Sequence, residues 1–399
     1  MNTQIQHLYD LAQCPERRII GLMSGTSMDG LDVALCRIQG SGPQTRVSLT
    51  HFETVPYTDD LKAEIRKVFA KKEIDFQHLC VLNPWIGRLH GQMVNDCLRQ
   101  WGLTASEVDL VASHGQTVFH APKIQHQLAQ FPNATLQIGD GDHVAVTTGI
   151  ITLSDFRQKH IAKGGEGAPL AVYGDYFIFS KKDENRLMLN MGGIANFTYL
   201  PGNLNADEVF TTDTGPGNTL IDAFTRQLFN QPYDADGRIA AQGTINPALL
   251  HELKQHPFFA APVPKTTGPE VFSLAYVEAA RQRSQTDRDL APEDLLATLT
   301  RFSAETIVEA IQKAIKPGEP YSVYWSGGGM HNPILTSHIR EMLPNFRFAN
   351  TDDLGIPGDA KEAILFAVLA NEAVAGGHTS FGNRQGVPTV SMGKVSFPD

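Results

Sequence analysis

The segment Ser24-Gly25-Thr26-Ser27-Met28-Asp29-Gly30-Leu31-Asp32 concentrates three hydroxyls, two glycines and two aspartates between the apolar runs Ile19–Met23 and Val33–Ile38. Two strand-like runs around a turn-rich tip read as a β-hairpin. Glycine lets backbone N–H groups approach an anion, and hydroxyls add donors. A hydrated Mg²⁺ needs only one or two carboxylates. A plain polar turn needs one or two such residues, so Gly25 through Asp32 read as a clamp for nucleotide phosphate. Asp29 is the metal candidate. Asp32 either joins it or caps and pairs locally. The chain has no Gly-x-x-x-x-Gly-Lys-Ser/Thr, so the clamp is not a P-loop.

The run Ser326-Gly327-Gly328-Gly329-Met330-His331-Asn332 follows an apolar strand pattern and precedes a helix opened by Pro333. Three glycines let a flat ligand or a phosphate lie on the backbone, at a helix N-terminus that favours anions. A tight strand–helix turn would need one. His331 by itself reads as structural. Asp213 ends the run Val209-Phe210-Thr211-Thr212. It either faces a ligand cleft, ionised at neutral pH, or bonds the following amides in an Asx-turn. Arg157 either clamps an anion in bidentate fashion or is a surface charge. Other patterns lead nowhere. His251 and His256 do not have His-Glu-x-x-His spacing, His114 and His120 lack a third metal ligand, and there is no Gly-x-Ser-x-Gly elbow.

The elements that must position these residues follow from length and pattern. A chain of 399 residues has room for two domains. A net charge of −10 with no basic block argues against a nucleic-acid partner. Cys14, Cys36, Cys80 and Cys97 lack Cys-x-x-Cys spacing and read as reduced thiols of a cytoplasmic protein. The polar N-terminus is no signal peptide, and no apolar run is long enough for a membrane span. Ile5, Leu8, Tyr9 and Ala12 suggest a short docked helix. Further helices are expected over 59–72, 76–101 and 294–316, and Ser113–Thr117 as a polar loop after a buried strand. The second half restarts with a hairpin around Gly192-Gly193, which predicts a duplicated α/β fold with ligands held in a cleft between the halves. The charged, Gly-rich stretch 151–169 is the expected junction. It would separate an N-terminal α/β domain over 1–155, carrying the hairpin, from a C-terminal α/β domain over 156–375, carrying Asp213 and the triple-glycine loop. Residues from about 376 to 399 would pack back on the first domain.

Five motifs, in order over nearly the whole chain, carry a resemblance: Met23–Asp32, Ser113-His114-Gly115-Gln116-Thr117, Asn190-Met191-Gly192-Gly193-Ile194-Ala195-Asn196, Asp213-Thr214-Gly215-Pro216-Gly217-Asn218 and Ser326–Gly329. Together they resemble the anhydro-N-acetylmuramic acid kinase family. The departure is a stretch of about 16 residues before the first strand. The resemblance implies the actin-like/hexokinase-like ATPase fold, two α/β domains with a central nucleotide cleft for ATP and Mg²⁺. It implies a cytoplasmic homodimer with no membrane partner. The substrate would be 1,6-anhydro-N-acetylmuramic acid from peptidoglycan turnover and the product N-acetylmuramic acid 6-phosphate. Asp213 would be the catalytic base. His114, Gln116, Thr117, Arg157 and Glu362 would lie on the sugar side. Gly192, Gly193, Asn196, Gly215, Gly327, Gly328, Gly329 and Asn332 would join the hairpin on the ATP side.

That reaction explains why one carboxylate is enough. An inverting glycosidase needs a base for water and an acid for the leaving oxygen. Here the leaving 6-oxygen would be captured by the γ-phosphoryl group, so only the base remains. Three rivals share the nucleotide motifs: a kinase of another anhydro-sugar such as levoglucosan, an ordinary sugar hydroxyl kinase, and a non-catalytic ATP-gated binding protein.

Overall fold

The computed structural model describes residues 2–268, 270–377, 379–382 and 386–399. Apolar residues on both sides of the first tip pair as expected: β1 (Glu16–Ser24) runs antiparallel to β2 (Gly30–Gln39), with Met23 opposite Asp32. β3 (Arg46–Pro56) continues the meander beside β2. β4 (Leu110–Ala121) lies parallel to β1, β5 (Ala134–Ile138) folds back on the outer half of β4, and β6 (Thr152–Ser154) lies parallel to β4. The helix Phe76–Trp101 closes one face with Leu82, Ile86, Val94 and Leu98 packed over Ile20, Leu22, Val33 and Val111. The helix expected over 59–72 spans Asp59–Arg66. It stops because Ala70 takes a positive φ of 55° and donates its N–H to Val118 O at 2.8 Å. The helix Lys361–Ala375 packs on β1 at Gly21, where a Cβ would collide with the Ala363 carbonyl.

The second sheet repeats the plan. β7 (Asn185–Met191) and β8 (Ile194–Leu200) form a hairpin, β9 (Phe210–Pro216) continues it, β10 (Tyr321–Ser326) lies parallel to β7, and β11 (Arg347–Asn350) parallel to β10. The order β11-β10-β7-β8-β9 reproduces β6-β4-β1-β2-β3 strand for strand, and β12 (Lys394–Ser396) adds antiparallel to β6 at the edge of the first sheet. The helix Pro292–Ala314 buries Ala304, Ile307 and Ile311 against Leu187, Leu189, Phe197 and Val323. The two sheets thus form the duplicated α/β architecture expected from the two hairpins.

Contacts divide the chain into one unit that runs to Ser180 and resumes at Gly355, and a second over Lys181–Leu354. The break is therefore not at 155/156, nor does the second unit reach 375. The helix Ala171–Phe179 packs against the helix Lys361–Ala375, with Leu365 filling the space at Gly174, so both belong to the first unit. The Gly-rich stretch is no linker either: Asn133 Nδ2 donates to Gly165 O at 3.1 Å, and Arg157 Nη1 to Gly167 O at 2.7 Å. Within the expected C-terminal segment 376–399, residues 378 and 383–385 lie outside the described residues. Among the described residues no helix is long and apolar enough to cross a membrane.

Candidate active site

In the first unit the hairpin tip stands out from its strands. Thr26, Ser27 and Asp29 are exposed, Gly25, Met28 and Gly30 half-buried, and Leu31 buried. Tyr57 N donates to Asp29 O at 3.0 Å and fixes the returning limb. Asp32 points into β3, where its Oδ1 accepts from Thr54 Oγ1 at 2.7 Å. Burial holds the Asp32 carboxyl above its ordinary range, and the Thr54 hydrogen bond works the other way. Asp32 thus has a local partner, while the Asp29 carboxylate makes no hydrogen bond or ion pair among the described residues. Those residues contain no cluster of three or more His, Cys, Asp or Glu suited to a metal. An exposed single carboxylate still fits Mg²⁺, which takes most of its ligands from water and phosphate.

Beneath the tip runs a buried hydrogen-bond chain. Ser24 Oγ donates to Gln116 Oε1 at 2.6 Å, Tyr57 OH donates to Ser24 Oγ at 2.8 Å, and His90 Nε2 lies 2.7 Å from Tyr57 OH. Each donor direction fixes the next, so His90 carries its proton on Nε2. Burial pushes the His90 pKa down to about 4, which keeps it neutral. Gln116 spends its amide on Gly25 O and Thr117 O, both at 3.0 Å. Its whole side chain is engaged inside the protein, and Thr117 Oγ1 accepts from Gln137 Nε2 at 3.2 Å. The expected Ser113–Thr117 loop is part of β4, because Ser24 and Ile138 both pair with Gln116 and carry the ladder through it.

His114 is buried, its ring tilted 37° against that of Phe366 with centroids 4.6 Å apart, and its Nε2 accepts from Arg157 Nε at 2.9 Å. Burial and the Arg157 cation lower its pKa to about 3. Arg157 Nη2 has no partner among the described residues. Glu362, at the start of its helix, is open to solvent. Surrounding protein nonetheless raises its pKa, against the pull of the Arg157 charge.

In the second unit the strand register aligns the site. Ser326 pairs with Asn190, Asn190 with Asn196, and Asn196 with Asp213. Directly opposite residues share a face, so three motifs far apart in sequence form one row. Asp213 is half-buried. Its N–H donates to Lys265 O at 2.9 Å, and its Oδ2 accepts from Thr267 N at 2.8 Å. Oδ1 is unpartnered among the described residues. Burial raises the Asp213 pKa, and the Thr267 N–H opposes the shift. Gly192 and Gly193 form the tip of the β7–β8 hairpin, and Gly215 sits on β9 under Phe259. Asn332 caps the helix Pro333–Met342 through Ile334 N and Leu335 N. In the triple-glycine loop, Gly327 has φ 81° and a Cβ there would meet Asn190 Oδ1 at 2.6 Å, whereas at Gly328 the nearest atom is Asn218 Nδ2 at 3.6 Å.

Tyr57, His90, Lys265 and Thr267 carry no local sequence signal. Their positions depend on contacts with residues tens of positions away.

A family described as anhydro-N-acetylmuramic acid kinase matches residues 17–393. The chain is 56% identical over 402 aligned residues, covering 100% of both chains, to an anhydro-N-acetylmuramic acid kinase of Pseudoalteromonas atlantica. It is 54% identical, again with 100% of both covered, to that of Pseudoalteromonas translucida. Among solved structures it aligns with the activator of the 2-hydroxyisocaproyl-CoA dehydratase from Clostridium difficile with bound ADPNP, at 11% identity, 90% and 95% coverage and TM-score 0.38. With full-length matches of this identity, the chain belongs to the anhydro-N-acetylmuramic acid kinase family.

Proposed function

We propose that the protein uses ATP to convert 1,6-anhydro-N-acetylmuramic acid and water to N-acetylmuramic acid 6-phosphate and ADP, in the cytoplasm, as part of peptidoglycan recycling. The reading rests on family membership. The observation that carries the chemistry is Asp213, whose raised pKa and unpartnered Oδ1 suit a base that removes a proton from water. Water activated at Asp213 attacks the anomeric carbon, its proton passes to the carboxylate, the bridging C–O bond breaks, and the departing 6-oxygen takes the γ-phosphoryl group. Arg157, held by His114 and Gly167, presents Nη2 to the sugar's carboxylate, with Glu362 accepting from its hydroxyl or amide groups. His114 and Gln116 act through Arg157 and the hairpin rather than on the sugar, and Thr117 lines that side.

Gly25–Asp32, Gly192, Gly193, Asn196, Gly215, Gly327–Gly329 and Asn332 serve ATP. Mg²⁺, when bound with ATP, neutralises developing phosphate charge, and Asp29 is the residue that would hold it. A homodimer is the expected assembly, tested by light scattering. The deciding experiment is turnover with 1,6-anhydro-N-acetylmuramic acid as sole acceptor in heavy-oxygen water. A product with solvent oxygen on the anomeric carbon supports the reading. Unlabelled product means an ordinary hydroxyl kinase, and faster turnover in a parallel assay with levoglucosan as the acceptor means a different anhydro-sugar kinase.

A further inference from the structure

Beside the triple-glycine loop lies a cavity of about 530 Å³, bounded in part by Asn218, Asp222, Tyr233, Asp234, Asp236 and Gly328. Three aspartates line it and two are committed. Asp234 accepts from Ile239 N at 2.9 Å and Ala240 N at 3.0 Å, and Asp236 pairs with Arg238 at 2.9 Å. Asp222, in the first turn of the helix Thr219–Phe229, is half-buried and makes no side-chain hydrogen bond or ion pair among the described residues. Arg226, one turn further on, donates to Pro232 O at 3.1 Å instead. The Tyr233 ring is exposed on the same cavity, and the Gly328 backbone is bare.

A carboxylate accepts hydrogen bonds and donates none, so a ligand group beside Asp222 must donate. Phosphate oxygens cannot. A vicinal diol can, offering one hydroxyl to each carboxylate oxygen, while an aromatic base has the Tyr233 face to stack on. We propose that Asp222 reads the ribose of the nucleoside triphosphate, accepting hydrogen bonds from its 2′- and 3′-hydroxyls. The inference rests on the ATP-dependent reading above and adds the residue that sets the sugar preference of the nucleotide.

The test is steady-state turnover of wild type, Asp222→Ala and Asp222→Asn with ATP, 2′-deoxyATP, 3′-deoxyATP and inosine triphosphate. Charge-assisted hydrogen bonds of this kind are worth about ten-fold or more in affinity. Wild type should prefer ATP over each deoxynucleotide by about that factor. Asp222→Ala should raise KM for ATP about ten-fold, with the main loss in KM rather than kcat, and should no longer distinguish ATP from the deoxynucleotides. Asp222→Asn, which keeps the volume and one acceptor, should fall between the two and guards against a folding defect. Retained discrimination against deoxyribose in both variants overturns the assignment. So does a variant that instead loses discrimination against inosine triphosphate, which would place the carboxylate on the base amine. If wild type does not turn over ATP with the anhydro-sugar at all, the kinase reading itself fails, and that result is distinct from either.

Discussion

Arg157 donates its Nε–H to Nε2 of His114 across 2.9 Å, so a neutral, buried imidazole serves as the acceptor that aims a guanidinium. The pairing follows from burial: at a pKa of about 3, His114 cannot compete with Arg157 for a proton at any working pH. His114→Phe keeps a ring against Phe366 but removes the acceptor. The expected result is a rise in KM for the anhydro-sugar of about ten-fold, the worth of a hydrogen bond to a charged group, with KM for ATP little moved. Equal effects on both substrates would count against a role through Arg157.

Asp213→Asn preserves the Thr267 N–H···O contact and removes the base. Turnover should fall roughly 10²–10⁴-fold, the usual contribution of a general base, while ATP binding persists. Because burial holds Asp213 above the ordinary aspartate range, the acid limb of kcat/KM in wild type should lie at higher pH than an exposed aspartate would give. Near wild-type turnover of the variant removes Asp213 from the role.

Tyr57→Phe cuts the chain that runs from His90 through Ser24 to Gln116. It leaves the His90 Nε2–H and the Ser24 oxygen without their partner in a buried setting, which costs about 1–3 kcal/mol per orphaned group. Urea unfolding should show the loss, and KM for ATP should rise because Gln116 holds the Gly25 carbonyl. Unchanged stability and unchanged KM together would show the chain to be idle.

Gly327→Ala and Gly328→Ala separate folding from ligand binding. The first places a Cβ at a φ of 81° and 2.6 Å from Asn190 Oδ1, so it should lower stability by about 1–3 kcal/mol. The second has room within the protein and should leave the unfolding midpoint near wild type while raising KM for ATP. A thermal melt and a nucleotide titration distinguish the two.

Three buried histidines set a pH dependence of stability. His90, His114 and His160 have pKa values lowered by burial to about 4, 3 and 4, against an ordinary value of 6.5. Between those limits the unfolded chain binds more protons than the folded one, so stability is full above about pH 6.5 and falls as pH drops toward 4. Buried carboxyls with raised pKa, such as Glu372, oppose this lower in the range. The thermal midpoint should fall between pH 6.5 and 4.5, and replacing His160 with Asn should flatten the slope. A flat wild-type profile contradicts the reading.

Much of this was legible in the chain itself. The two hairpins, the long helices and the glycine loops depend on local periodicity and turn chemistry, and the motif set identified the family. Burial patterns of β1, β2, β7 and β8 follow directly from their apolar residues. The unit boundaries were misplaced because the stretch 163–169 has the composition of a linker. Its amides and carbonyls are in fact taken up by His160, Asn133 and Arg157.

What the sequence by itself offered is therefore a set of candidates: Asp29, Arg157, Asp213 and the glycines from their local patterns, and His114, Gln116 and Glu362 through the family resemblance. Tertiary structure decided which of them are free to act. It committed Asp32 to Thr54, turned His114 and Gln116 inward, and left Asp29, Asp222 and one oxygen of Asp213 unpartnered among the described residues. The physical reason is that a polar group's availability depends on whether its hydrogen bonds are already satisfied, and the partners that satisfy them come from strands and helices far along the chain.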